Sequence, residues 1–137
     1  MKYLIDTNVI SEVRKGTRCN SAVWSWWSGT AADEKFLSAL TIGEIRKGIE
    51  KLRRRDVRSA VILEKWLLGI IEDHIGRILV VDMEIAEEWG RLNATDPLPV
   101  IDGLIAATAK VRGLTLVTRN VPDMARTGVD ALNPWQA

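Results

Sequence analysis

The sequence predicts a three-layer α/β/α domain built on a mainly parallel central sheet. Two short, uninterrupted apolar runs, residues 78–81 and 114–117, fit strands covered on both faces rather than half-exposed ones. Such runs alternate along the chain with stretches whose apolar residues recur at helical spacing, the pattern of strand–helix–strand units. No repeat, low-complexity tract or Pro/Gly-rich linker interrupts the order, so residues 1–137 are expected to form a single domain, long enough to bury a core.

Taken in order, residues 3–5 read as a buried strand, followed by a helix through Val9, Ile10 and Val13 that stops near Gly16. Asn20 or Ser21 can cap a second helix carrying Val23, Trp24 and Trp27. A second strand is expected over 36–40. Thr41 then opens a long helix in which Ile42, Ile45, Ile49 and Leu52 recur at helical spacing. Another helix covers about 57–74, with Val61, Ile62, Trp66, Ile70 and Ile71 apolar. Residues 78–81 form a third strand and 83–92 a helix. Residues 96–99 turn the chain, and Pro99 suits an early position of a helix over 101–111 that Gly113 ends. Strands over 114–118 and 129–132 complete the set before Pro134.

Composition narrows the function classes. The formal net charge of +1 argues neither for nor against a polyanionic partner. Locally, however, Arg46, Lys47, Lys51, Arg53, Arg54, Arg55 and Arg58 make a basic run that suits phosphates, or simply a solvated helix face. The single Cys19 excludes an intrachain disulfide and a cysteine-built zinc site, and fits a reducing compartment. With one histidine, His74, there is no histidine-rich metal site either. No apolar run approaches the roughly 20 residues of a membrane span, and the chain starts on a strand rather than a signal peptide; a cytoplasmic protein is expected. Trp24, Trp26 and Trp27 cannot all face one side of a helix, so at least one is expected to meet a partner.

Four acids stand where an apolar strand stops or a helix begins: Asp6, Glu44, Asp102 and Asp123. In an open parallel sheet those places gather at the carboxyl edge, where ligands bind. Carboxylates gathered there repel one another unless a cation neutralises them, and a hard divalent metal is the most economical reason to build such a group. Each acid also has a structural alternative. Asp6 can cap the helix that follows it. Thr41-Ile42-Gly43-Glu44 fits a capping box in which the glutamate bonds back to the cap residue. Asp123 lies in a polar loop. Asp102 is the least explained by structure alone, because a carboxylate among Val100, Ile101, Leu104 and Ile105 implies partial burial, which is costly without a partner.

The segments Tyr3-Leu4-Ile5-Asp6-Thr7-Asn8, Thr41-Ile42-Gly43-Glu44-Ile45-Arg46-Lys47-Gly48, Ile101-Asp102-Gly103-Leu104-Ile105-Ala106-Ala107 and Leu116-Val117-Thr118-Arg119-Asn120-Val121-Pro122-Asp123 together resemble the PIN-domain nucleases. Within that family the chain is similar to the VapC-type toxins of type II toxin–antitoxin pairs, in segment order, spacing and length. The resemblance implies a PIN-like fold and a metal-dependent endoribonuclease that inhibits translation, using Mg2+ or Mn2+. Asp6, Glu44, Asp102 and Asp123 would be its acidic, metal-binding residues, with Asn8, Thr118 and Asn120 in support. It further implies an RNA substrate, a cognate antitoxin, and a homodimer within a toxin–antitoxin complex.

Two other readings compete. A haloacid-dehalogenase type of phosphotransferase needs an aspartate two residues after its nucleophile, and Asn8 stands there instead. A non-catalytic RNA- or protein-binding module on the same fold is the alternative that remains, since fold alone does not fix activity.

Overall fold

A computed structural model describes all of residues 1–137. Strands β1 (Tyr3–Ile5), β2 (Lys35–Ser38), β3 (Ile78–Leu79), β4 (Thr115–Val117) and β5 (Ala131–Leu132) form one five-stranded sheet in the order β3-β2-β1-β4-β5. Every pairing is parallel. Helices α1 (Thr7–Val13), α2 (Ser21–Gly29), α3 (Ala39–Arg53), α4 (Val57–Asp73), α5 (Met83–Leu92), α6 (Val100–Arg112) and α7 (Val121–Ala125) supply the crossovers.

Strand alternation sends successive side chains to opposite faces, and the two cores follow that period. On one face Leu4 and Leu116 pack with Ile105, Ala106 and Ala109 of α6 and with Met124, flanked by Phe36 and Leu79. On the other, Ile5, Leu37 and Val117 pack with Val9 and Ile10 of α1 and Val23 of α2, with Ile42, Ile45, Trp66 and Ile70 of α3 and α4 closing over them. Helices thus cover both faces, as the expected three-layer architecture requires. A smaller cluster of Ile49, Ala60 and Leu67 ties α3 to α4.

Several boundaries differ from the sequence-based expectation. Helix α3 begins at Ala39 because Ser38, not Thr41, caps it, with the Ser38 Oγ accepting from the Leu40 N–H at 3.1 Å. Thr41 is fully buried inside the first turns, its hydroxyl without a partner. The capping-box reading of Glu44 therefore fails. Strands β3 and β5 are two residues each, shorter than the apolar runs that mark them; past β3 the chain leaves the ladder with Val80 exposed, so the run 78–81 is not covered on both faces as expected. Residues 121–125, read as loop, form the short helix α7 with Pro122 in its first turn.

Of the aromatic residues on α2, Trp26 meets Tyr3 edge-on at 5.2 Å and Trp27 lies under the Lys35 ammonium, 4.0 Å from the ring centre. Trp24 points outward and is 46% exposed. No helix is long and apolar enough to cross a membrane.

Candidate active site

The strand order reverses direction at β1: the chain steps outward to β2 and β3 on one side, then returns to add β4 and β5 on the other. The crevice at the carboxyl ends of β1 and β4 is the place where open parallel sheets bind ligands. Asp6 follows β1 there, with its backbone N–H donating to the Val117 carbonyl at the end of β4 at 2.9 Å. Asp6 is only 5% exposed. Its Oδ1 accepts from the Thr7 N–H and its Oδ2 from the Thr118 hydroxyl, both at 2.8 Å.

The expectation that Asp6 caps the following helix is thus met, and it does not exhaust the residue. A solvated serine or asparagine would cap as well; a buried charge costs far more. Burial pushes the Asp6 carboxyl above the ordinary aspartate value, against the bonds from Thr118 and Thr7 that favour the ionised form, and the charges of Asp102 and Glu44 push it further up.

Glu44 lies in the second turn of α3, and α3 starts where β2 ends. Its Oε1 accepts from the Thr7 hydroxyl at 2.6 Å. Thr7 thus holds both acids at once, Asp6 through its backbone and Glu44 through its side chain. Because Ser38 caps α3, Glu44→Gln should leave stability within about 0.5 kcal/mol of the native protein, since the amide oxygen still accepts from Thr7. A catalytic Glu44 requires that the same variant lose RNA cleavage. Chemical denaturation and a cleavage assay on one preparation check both.

Asp102 is in the first turn of α6, half-buried against the sheet. Its carboxyl is raised by burial first, then by Glu44 and Asp123, and no hydrogen bond or cation offsets this. Asp123 is exposed in the first turn of α7 and reaches the group through its charge on Asp102. The structure thus brings the four predicted acids to the same carboxyl edge. No three of them stand close enough to form a preformed cage. The donor set is all oxygen, and none of the protein's ion pairs involves these acids.

The supporting residues fall into place around Thr118, which is fully buried. Its Oγ1 accepts from the Asn120 N–H at 3.1 Å and, more weakly, from the Asn8 Nδ2 at 3.5 Å, while donating to Asp6. Asn8 Oδ1 accepts in turn from the Arg119 N–H at 3.3 Å. Asn120 acts through its backbone rather than its side chain.

Residues 3–128 match the PIN domain family. The chain belongs to that family. It is 32% identical to the protein named toxin FitB of Neisseria gonorrhoeae, with 96% of this chain and 97% of that protein aligned. It is 31% identical to the VapC ribonuclease Y4jK of Sinorhizobium fredii, covering 97% of each. Among solved structures, FitAcB from Neisseria gonorrhoeae superposes with a TM-score of 0.90 at 31% identity over 98% of this chain and 99% of that one. The VapBC-1 structure from nontypeable Haemophilus influenzae, at 21% identity and a TM-score of 0.75, shares the fold. The PIN membership anticipated from four short segments is established over almost the whole length.

Proposed function

We propose that this PIN-domain protein is a metal-dependent endoribonuclease, the toxin of a toxin–antitoxin pair, with residues 1–137 acting as one nuclease domain. The observation that carries the reading is the set of four carboxylates at the sheet's switch point, two of them, Asp6 and Asp102, raised by burial and by neighbouring acids of the set, and none paired with a cation. A structural role does not account for that arrangement, because placing unpaired like charges together costs stability. The proteins named toxin FitB and VapC ribonuclease, which share about a third of its residues, support the same assignment.

Asp6 and Asp102 are the direct ligands in this reading, and Glu44 and Asp123 hold a second ion or the water around the first. When bound, Mg2+ or Mn2+ would activate a water and offset charge on the scissile phosphate. The chain's own residues do the rest. Thr118 and the Thr7 N–H fix both oxygens of Asp6, so that its carboxylate is aimed before any ligand arrives. The Thr7 hydroxyl fixes Glu44. Asp102, bonded to nothing in the protein, keeps all its lone pairs for the site.

The partners follow the same resemblance: RNA as substrate, a cognate antitoxin that covers the acids, and a second copy of this chain within the complex. Trp24, the outward-facing member of the α2 trio, is the aromatic residue available to such a partner. A non-catalytic binding module has no use for uncompensated carboxylates. The deciding experiment is RNA cleavage by the purified protein with Mg2+ or Mn2+ and with chelator. Cleavage present with metal and absent with chelator, together with a melting temperature that rises on adding the ion, is the expected result. Equal cleavage in both conditions would end the metal assignment.

A further inference from the structure

The basic run on α3 is sorted by the structure onto two faces. Arg46 and Arg53 are engaged, each with both Glu50 and Glu64. The ion pairs of this helix are made by those arginines and not by Lys47 or Lys51, which are exposed. These two lysines line a cavity of about 600 Å³ together with Glu44, the glycines Gly43 and Gly48, and an apolar end made by Ala39, Leu40 and Ile101. The cavity therefore opens from the acidic site itself, between Glu44 and the neighbour of Asp102, and runs outward along α3. Lys47 and Lys51 are about one helical turn apart, so both ammonium groups project from the same side of the helix.

The two glycines point the same way. Both sit inside α3, where glycine is the least favourable ordinary residue for the helix. Packing requires neither, for a Cβ at Gly43 or at Gly48 would meet nothing within 4 Å. What they provide is bare helix backbone on the floor of a cationic cavity.

Resting on the nuclease reading above, we propose that this face of α3 is the track for the RNA strand on one side of the scissile phosphate. Lys47 and Lys51 hold successive phosphates, and Gly43 and Gly48 let the sugar–phosphate chain lie directly against the helix. Charge complementarity selects a polyanion over an apolar peptide, and the junction with Glu44 selects one whose next phosphate reaches the acids.

The test is steady-state cleavage of an unstructured RNA by the full chain with Mg2+ or Mn2+, over a range of salt concentrations. The doubly substituted Lys47→Ala, Lys51→Ala protein should raise KM about tenfold at low salt with kcat largely kept. Its log–log salt dependence should be shallower by about 1.4, two phosphate contacts at roughly 0.7 each. Gly48→Ala, and likewise Gly43→Ala, should raise the melting temperature, as a better helix former must, while raising KM. A merely structural pair of glycines predicts the first effect without the second. Wild-type cleavage with unchanged KM and salt slope in all these variants overturns the track and leaves the nuclease reading standing. Binding of a protein partner lost in the variants, with RNA kinetics intact, overturns it equally. A wild-type protein that cuts no RNA with either metal defeats both.

Discussion

Asp102→Asn is expected to lower metal-dependent RNA cleavage by about three orders of magnitude, the loss that follows if roughly 4 kcal/mol of transition-state stabilisation depends on the bound ion. It is a cleaner substitution than those of Asp6 or Glu44 because Asp102 has no hydrogen bond to lose. Asp6→Asn would be less clean. Its new Nδ2 would face Thr118, whose oxygen already accepts from the Asn120 N–H and from Asn8. One hydrogen bond would be broken, at about 1 kcal/mol, against the relief of a buried charge.

The pH dependence of the same variant has a definite sign. The Asp102 carboxyl is raised in the folded protein, so the folded state holds the proton more tightly than the unfolded chain. Without metal, this group therefore lowers stability progressively as pH climbs from the ordinary aspartate value near 4 through its higher folded value. The metal-free Asp102→Asn protein should gain stability relative to the wild type over that climb. Paired thermal denaturation curves from acid to neutral pH in chelator measure it. A stability difference that does not change with pH would mean that the carboxylate is solvated and unstrained. Wild-type cleavage by the variant would remove Asp102 from the site altogether.

Gly103→Ala should destabilise the fold by about 1–3 kcal/mol, although alanine is the better helix former. Gly103 is the point where α6 rests on α5. A Cβ there would stand 2.9 Å from the Asn93 Nδ2, 3.0 Å from its Oδ1 and 3.1 Å from Trp89 Cδ1. Asn93 cannot swing aside freely, because its Nδ2 donates to the Trp89 carbonyl at 2.8 Å and its Oδ1 accepts from the Leu98 N–H at 2.9 Å. Either those bonds break or α6 moves. If α6 moves, Asp102 on the preceding residue moves with it, so activity should fall along with the denaturation midpoint. The opposite behaviour at Gly43 and Gly48, where space is open, makes the three glycines a controlled set within one protein. A more stable Gly103→Ala variant would show that the α5–α6 contact yields easily.

The acids were legible in sequence because strand ends and helix starts are marked by strong signals, and a parallel sheet gathers such places on one edge. Helical spacing in α4 and α5 and the Pro99-to-Gly113 frame of α6 gave those helices to within about one residue. What failed were competitions between equally good local signals. Ser38 and Thr41 are both able caps, and the choice fell to Ser38 because β2 ends there, a fact of strand pairing that lies in residues 78–79 rather than nearby. The Glu44–Thr7 bond joins residues 37 apart and leaves no local trace. Asp123 was read as a loop residue because a five-residue helix is too short to show a period. The division of the basic run depended on Glu64, supplied by the next helix.

The bond from Thr118 to Asp6 spans 112 positions. While the chain is being made, its first acid exists long before the hydroxyl that aims it. β1 can pair with β2 early, but its other edge stays open until β4 is made, and closing so large a loop is entropically costly. A chain stopped short of residue 118 carries Asp6, Glu44 and Asp102 yet lacks the hydroxyl that clasps the first of them.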